Sequence, residues 1–171
     1  MKSINTFLFT MALMVGFMSN TTYAQSKIAH IDTQAFIESM PTYQDAMKQI
    51  QQVEQTYQAE IDELLKEAQK KNERYKAEAP TKTDEENQMR MQELNDMQNS
   101  IMEYNQTATR DVQKKREELM RPVLEKARTI IQETARAKGF DYVLDSTVGS
   151  GVLLADGYDL LDDAKAALSS N

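Results

Sequence analysis

Between residues 42 and 138, apolar positions recur every three or four residues along an otherwise polar chain. In the outgoing half one set reads Tyr43, Ile50, Tyr57, Leu64 and Lys71, and a second reads Met47, Glu54, Ile61, Ala68 and Tyr75. In the returning half Leu94, Met97, Ile101, Tyr104 and Ala108 are followed, after a slip in the repeat, by Val112, Leu119, Val123, Ala127 and Ile130. This period predicts amphipathic helices with a narrow, coiled-coil-like seam. The slip is a stutter, which locally unwinds a supercoil. Glu54 and Lys71 fall inside the seam, and Tyr and Ala stand where a strong zipper has Leu or Ile, so the seam predicts a flexible arm. Pro80, in the segment 77–84, ends the first helix, and Thr83 with Glu86 forms a capping box that opens the second. The result is a helical hairpin. Residues 41–79 and 84–121 match in length, each about 55–60 Å at about 1.5 Å per residue. Pro122 cannot bond the carbonyl of Glu118 and predicts a kink level with Pro41. Pro41 and Pro122 are therefore the expected hinges.

The flanks change period. Residues 27–32 alternate like a strand, and 33–40 read as a short helix capped by Asp32 or Thr33. Gly139 suits the end of the long return helix. Residues 140–145 and 152–155 read as two further strands joined as a hairpin around Gly149 and Gly151, and 160–168 as a final helix capped by Asp159. The expected class is α+β, with a long helical hairpin on a small β-body. The arm covers residues 41–121 with its tip near 77–84, and the body covers 25–40 and 122–171. Ahead of it, Lys2, the apolar run 7–18 and the small-residue site Thr22–Tyr23–Ala24 predict a signal peptide over residues 1–24, cleaved near Ala24–Gln25. No Cys follows to carry a lipid. An exported chain that does not span the membrane is expected.

Composition narrows the function. Beyond residue 24 the chain carries 19 basic and 27 acidic side chains, which argues against a nucleic-acid partner. Residues 41–138 are nearly balanced, with 17 basic and 19 acidic groups, so the surplus lies in the C-terminal part. Without Cys or Trp, and with only Phe36 and Phe140 as phenylalanines beyond the leader, the chain has little material for a core, and oligomerisation is expected. The single histidine, His30, has no metal-ligand constellation to join. Asp156, Asp159, Asp162 and Asp163 do not follow a calcium-loop pattern, and Gly149–Ser150–Gly151 lacks the Lys and helix of a phosphate loop. No nucleophile–base arrangement is present, so neither catalysis nor a cofactor is expected. Methionine is the remaining signal. Met89, Met91, Met97, Met102 and Met120 lie on the return helix, with Met89, Met91 and Met102 outside the seam. Flexible thioethers on an open face suit varied apolar partners, the alternative being gap-filling between helices. Met89, Met91, Met97, Met102, Tyr75 and Tyr104 are the candidate partner contacts.

The order of the segments Lys27-Ile28-Ala29-His30-Ile31-Asp32, a long charged hairpin, Phe140-Asp141-Tyr142-Val143-Leu144-Asp145 and Gly151-Val152-Leu153-Leu154-Ala155-Asp156 resembles the Skp/OmpH family of periplasmic chaperones over about residues 26–168. The resemblance implies a homotrimer shaped like a jellyfish, in which three arms enclose a cavity. It implies body strands at 28–32, 140–145 and 152–155, with Ile28, Ile31, Phe140, Tyr142, Leu144, Val152 and Leu154 as candidate trimer contacts. It also implies that unfolded outer-membrane β-barrel proteins are held without nucleotide. Well-known members have basic arms, whereas these arms are nearly neutral. The competing reading is a structural coiled-coil adaptor or spacer of the cell envelope, which would call for a stiff, regular seam and an apolar docking tip.

Overall fold

The computed structural model describes residues 26–170, so the expected signal peptide lies outside the described residues. The chain opens with strand β1 (Ile28–Ile31) and helix α1 (Thr33–Glu38). Asp32 caps α1 by accepting from the Ala35 amide at 2.9 Å. Helix α2 (Pro41–Glu78) starts with Pro41 in its first turn, where a missing N–H leaves no intrahelical bond unmade. A 3₁₀ turn at Ala79–Thr81 reverses the chain into α3 (Asp84–Ala137). The capping box is present: the Glu86 amide donates to Thr83 Oγ1 at 3.2 Å, and the Thr83 amide to Glu86 Oε2 at 3.1 Å. Asp84, Glu85 and Glu86 add negative charge at the positive end of the helix dipole. At the other end Gly139 takes φ 75°. The Phe140 amide reaches the Ala135 carbonyl and the Gly139 amide that of Arg136, each at 3.0 Å. That pair of bonds is a Schellman stop, and its left-handed residue favours glycine. Strand β2 (Tyr142–Asp145), strand β3 (Tyr158–Asp159) and helix α4 (Leu161–Ser170) complete the fold, with Asp159 accepting from the Leu161 amide at 2.9 Å.

Helix α2 has 38 residues and α3 has 54, so α3 outruns its partner by roughly 24 Å at about 1.5 Å per residue. It stays helical through Pro122. The overrun is where the core forms. Val123, Ala127, Ile130 and Ala135 on α3 are buried against Ala29 and Ile31 of β1, Phe36 of α1, Met40, and Leu160 and Ala164 at the start of α4. Three of the four α3 residues fall at i, i+4 and i+7 on one stripe. Along the arm proper, only Ala46, Ile50, Ile61, Ile101 and Ala108 are buried. The molecule is mostly helical, with one small sheet packed on the base of its longest helix.

The sheet differs from the expected hairpin. Its order is β2-β1-β3, and both neighbours run parallel to β1. Ile28 pairs with Tyr142 and His30 with Leu144 on one side, and Ala29 with Tyr158 and His30 with Asp159 on the other. The third strand is thus Tyr158–Asp159, and residues 152–155 form no strand. The reason is topological. Burying Leu160 and Ala164 on the inner face requires β3 to start at the same end of the sheet as β1. The chain leaving β2 must therefore travel back along the sheet before it can pair, and residues 146–157 are that return connection.

Phe36 is fully buried in this single core. Phe36→Ala should cost about 3–5 kcal/mol. Leu65→Gln, on the open side of α2, should change stability by less than about 0.5 kcal/mol. Urea unfolding followed by circular dichroism measures both.

Candidate functional site

Polar contacts dominate the seam of the arm. Arg116 pairs with Glu54 at 2.9 Å, and the Tyr57 hydroxyl donates to Asp111 at 3.0 Å. Tyr104 donates to Glu60, Lys71 and Tyr75 both donate to Glu93, and Arg90 pairs with Glu78 at 2.6 Å near the tip. Partners step in opposite directions along α2 and α3, so the two helices keep one register from Glu54 to Glu78. Tyr57 and Tyr104 pack with ring centroids 5.9 Å apart, and each reaches a carboxylate on the other helix. The bond to Glu60 pushes the Tyr104 hydroxyl up to about 12, and the bond to Asp111 raises Tyr57. Glu93 is held below the usual carboxylate range, first by the Lys71 ammonium and then by the Tyr75 hydroxyl. Near the tip, the guanidinium of Arg90 lies 4.6 Å from the Tyr75 ring centroid. That cation–π contact engages a guanidinium whose buried Nη1 has no hydrogen-bond partner.

The six candidate partner contacts divide between this seam and the open surface. Tyr75, Met97 and Tyr104 are half-buried between the helices. Met89, Met91 and Met102 are exposed. Met91 and Met102 stand eleven residues, or three helical turns, apart and share one stripe of α3 roughly 16 Å long. Met89 lies on the opposite flank, because two residues rotate the helix by about 200°.

A second apolar surface lies on the body. The outer face of the sheet presents Ile28, Tyr142 and Leu144, all exposed, around the half-buried His30. The return connection adds Val148, Leu153 and Leu154 at 99%, 100% and 76% exposure. Nothing among the described residues covers them, although the base of the connection is firmly held. Asp145 accepts from Thr33 Oγ1 at 2.8 Å and from the Thr147 amide at 2.9 Å, and Thr147 Oγ1 donates to Asp32 at 3.1 Å. Burial pushes the Asp145 carboxyl up, but the bonds from Thr147 and Thr33 outweigh it and hold the group below its ordinary value. The Ser150 hydroxyl adds a 2.6 Å bond to the Asp145 carbonyl. Beside the free edge of β2 runs a groove of about 580 Å³ floored by Ile37, Ala127, Ile131 and Val143.

Of the candidate trimer contacts, Ile28, Tyr142, Leu144 and Leu154 are exposed and Val152 is half-buried. Ile31 is enclosed in the chain's own core, so its side chain offers nothing to a neighbour. Phe140 is half-buried against Tyr158, with ring centroids 4.9 Å apart. The Tyr158 hydroxyl donates to Asp163 at 2.7 Å and accepts from Lys138 at 3.0 Å. Lys138 also bridges to Asp163 at 2.8 Å, holding that carboxyl below its ordinary value. Val148 and Leu153 were not singled out by sequence. Their signal was an apolar residue in a segment otherwise read as turn or strand. Among the described residues no cluster of His, Asp or Glu could hold a metal ion, and no helix is long and apolar enough to cross a membrane.

A carboxylate whose value is lowered by folding stabilises the fold above its free titration range, and that contribution is lost as pH falls through the lowered value. Glu93 is such a group. Acidification below about pH 4 should therefore loosen the tip half of the arm, visible as faster amide exchange around Lys71, Tyr75 and Glu93. Glu93→Gln should show that faster exchange already at neutral pH and a flatter acid dependence.

The family model described as outer membrane protein (OmpH-like) matches residues 27–168. A crystal structure from Caulobacter crescentus CB15, described as an OmpH-like outer membrane chaperone, is similar with a TM-score of 0.74 at 17% identity, and the likeness covers 90% of each chain. At that identity the likeness speaks for the fold. None of the curated proteins compared matches the chain. With the family match extending from β1 into α4, the chain belongs to the OmpH-like family, the non-catalytic Skp/OmpH periplasmic chaperones.

Proposed function

We propose that the chain is exported with removal of residues 1–24, trimerises through a β-body of residues 25–40 and 122–171, and acts as an ATP-independent holdase. Its arms, residues 41–121, would surround unfolded outer-membrane β-barrel proteins and keep them from aggregating. The observation that carries this reading is where apolar surface is left open. It lies on the outer sheet face with the connection 146–157, and on the methionines of the arm. The first surface suits self-association. Three fully or largely exposed aliphatic side chains on one anchored connection are costly in water and gain by being covered, at about 25 cal/mol per Å². The edge of β2 lies beside a groove lined by Ile37, Ile131 and Val143 together with Arg128, Arg136 and Asp141, and the segment 152–155 of a second copy would add to that edge as a strand. Because donor and acceptor surfaces differ, the contact would be head-to-tail, and a three-fold rotation between copies would close it into a trimeric ring.

The arm surface suits a disordered client. Balanced charge, a polar seam and scattered thioethers give many weak contacts, whose joint effect comes from multiplicity. A client held this way stays disordered and gives up little conformational entropy. Pro41 and Pro122 mark the hinges about which the arms would splay to fit clients of different size.

Two experiments test this. When a barrel protein is diluted out of urea with one trimer per client, turbidity should be suppressed, and unchanged turbidity would sink the holdase reading. In the same assay, replacing Met89, Met91 and Met102 together with Gln should weaken suppression without altering oligomeric state. Separately, Leu153→Asp combined with Leu154→Asp should turn the trimer into a monomer with unchanged helical circular dichroism, as sedimentation velocity would show.

A further inference from the structure

The arm has two unlike flanks, one on each side of the seam. In an antiparallel helix pair, the residue that directly follows a seam position falls on the same flank in both helices, and the residue that precedes it falls on the other. A groove of about 450 Å³ marks the first flank, where Gln58, Asn105 and Thr109 meet over Tyr57, Ile61 and Ala108. A groove on the other side joins Thr56 and Glu60 of α2 to Tyr104 of α3. Followed along α2, the first flank carries Gln58, Leu65, Gln69 and Asn72, with Asp62 and Lys76 as its charges. Asp62 already accepts from Gln58 at 2.9 Å. Along α3 the same flank carries Met91, Asn95, Gln98, Met102, Asn105 and Thr109, all exposed and none charged, over roughly 27 Å at about 1.5 Å per residue. The bonds of Tyr104 to Glu60 and of Lys71 to Glu93 bracket Leu65 and set it within about a turn of Met102. The other flank is acidic. It carries Glu60, Glu63 and Glu67 on α2 and Glu93, Asp96 and Glu103 on α3, against Lys70 and Arg74. Met89 stands on that side, and at 62% it is as exposed as Met91 at 64%, so exposure does not separate them.

We propose that the arm holds an extended segment of an unfolded client on one flank only, the uncharged one. Leu65, Met91 and Met102 supply its apolar contacts, and the amide side chains between them meet the client's backbone. The inference rests on the holdase reading above and adds which side of the arm does the holding. An unfolded segment offers apolar side chains together with unpaired backbone N–H and C=O groups. The two thioethers and Leu65 take the first without demanding a fixed shape. Carboxamides both donate and accept, so Asn and Gln can bond either backbone group wherever it falls. Contact on this flank strips water from almost no charge. Contact on the opposite flank would desolvate a row of carboxylates, which is costly unless each finds a cation. The stripe on α3 matches about eight residues of extended chain at about 3.3 Å each, close to one barrel strand of about 9–11 residues. Such a strand alternates apolar and polar side chains, so one face of it meets the methionines while the other stays in water. Met89 is excluded by its charged surroundings rather than by burial.

The test is methionine footprinting of the purified protein with dilute hydrogen peroxide, alone and with a barrel protein diluted out of urea. Mass spectrometry reads the sulfoxide formed at each position. In the complex Met91 and Met102 should oxidise several-fold more slowly than in the free protein, and Met89 at an unchanged rate. Met91→Glu combined with Met102→Glu should abolish the suppression of turbidity. Ser100→Glu, which adds charge at a similar height on the acidic flank, should leave suppression intact, with helical circular dichroism the same in all. Equal protection of the three methionines, protection of Met89 alone, or no protection in a client-bound complex overturns the one-flank proposal and leaves the holdase reading standing. Protection of Met91 and Met102 without client, lost on dilution, means that a second copy covers the flank and overturns the proposal too. Turbidity that the wild-type protein fails to suppress overturns the holdase reading, and this proposal with it.

Discussion

Everything in this molecule hangs from the packing of one helix stripe on one sheet face. Val123, Ala127, Ile130 and Ala135 lie against Ala29, Ile31, Phe36, Met40, Leu160 and Ala164, and this is the principal core of the chain. Half of these residues are alanine or valine, so the helix approaches the sheet closely and a little apolar area is used efficiently. A helix of 54 residues anchored at one end by such a core projects the rest of its length into solvent. The arm therefore derives its position from the body, and its internal cohesion from something else.

That cohesion is polar. Tyrosine hydroxyls and basic side chains reach carboxylates across the seam at intervals from Glu54 to Glu78, with only a few isoleucines and alanines buried between them. Exposed hydrogen bonds and ion pairs are individually weak, since water competes for every group. They still define register, because each needs one partner at one height. An apolar zipper of the same length would be stiffer and would tolerate slippage by a heptad. The observed seam keeps the two helices aligned without a continuous apolar zipper between them.

Much of this was legible in the sequence, and the reasons differ by element. The hairpin, its reversal at 79–81, the capping box of Thr83 and Glu86 and the stop at Gly139 follow from local rules, because a helix declares its period and its ends within a few residues. The alternation at 27–32 marked β1 as a strand, but with an isoleucine on each face it did not say which side is buried; the structure buries Ala29 and Ile31. The third strand was not legible. Residues 152–155 are more apolar than Tyr158–Asp159, yet the latter pair with β1, since strand pairing is decided by where the chain must cross to seat Leu160. Among the candidate contacts, no periodicity separates Tyr104, half-buried in the seam, from Met102, exposed beside it, until the facing helix is placed.

The sequence by itself determined the helices, their lengths, their caps and the shortage of core, because these depend on residues close together along the chain. Only the tertiary structure decided the parallel order of the sheet, the carboxylate that each tyrosine reaches, and the exposure of Val148, Leu153 and Leu154 around an outer face that carries His30. These depend on which distant segments meet, and a short strand or a single side chain carries too little local preference to dictate its own partner.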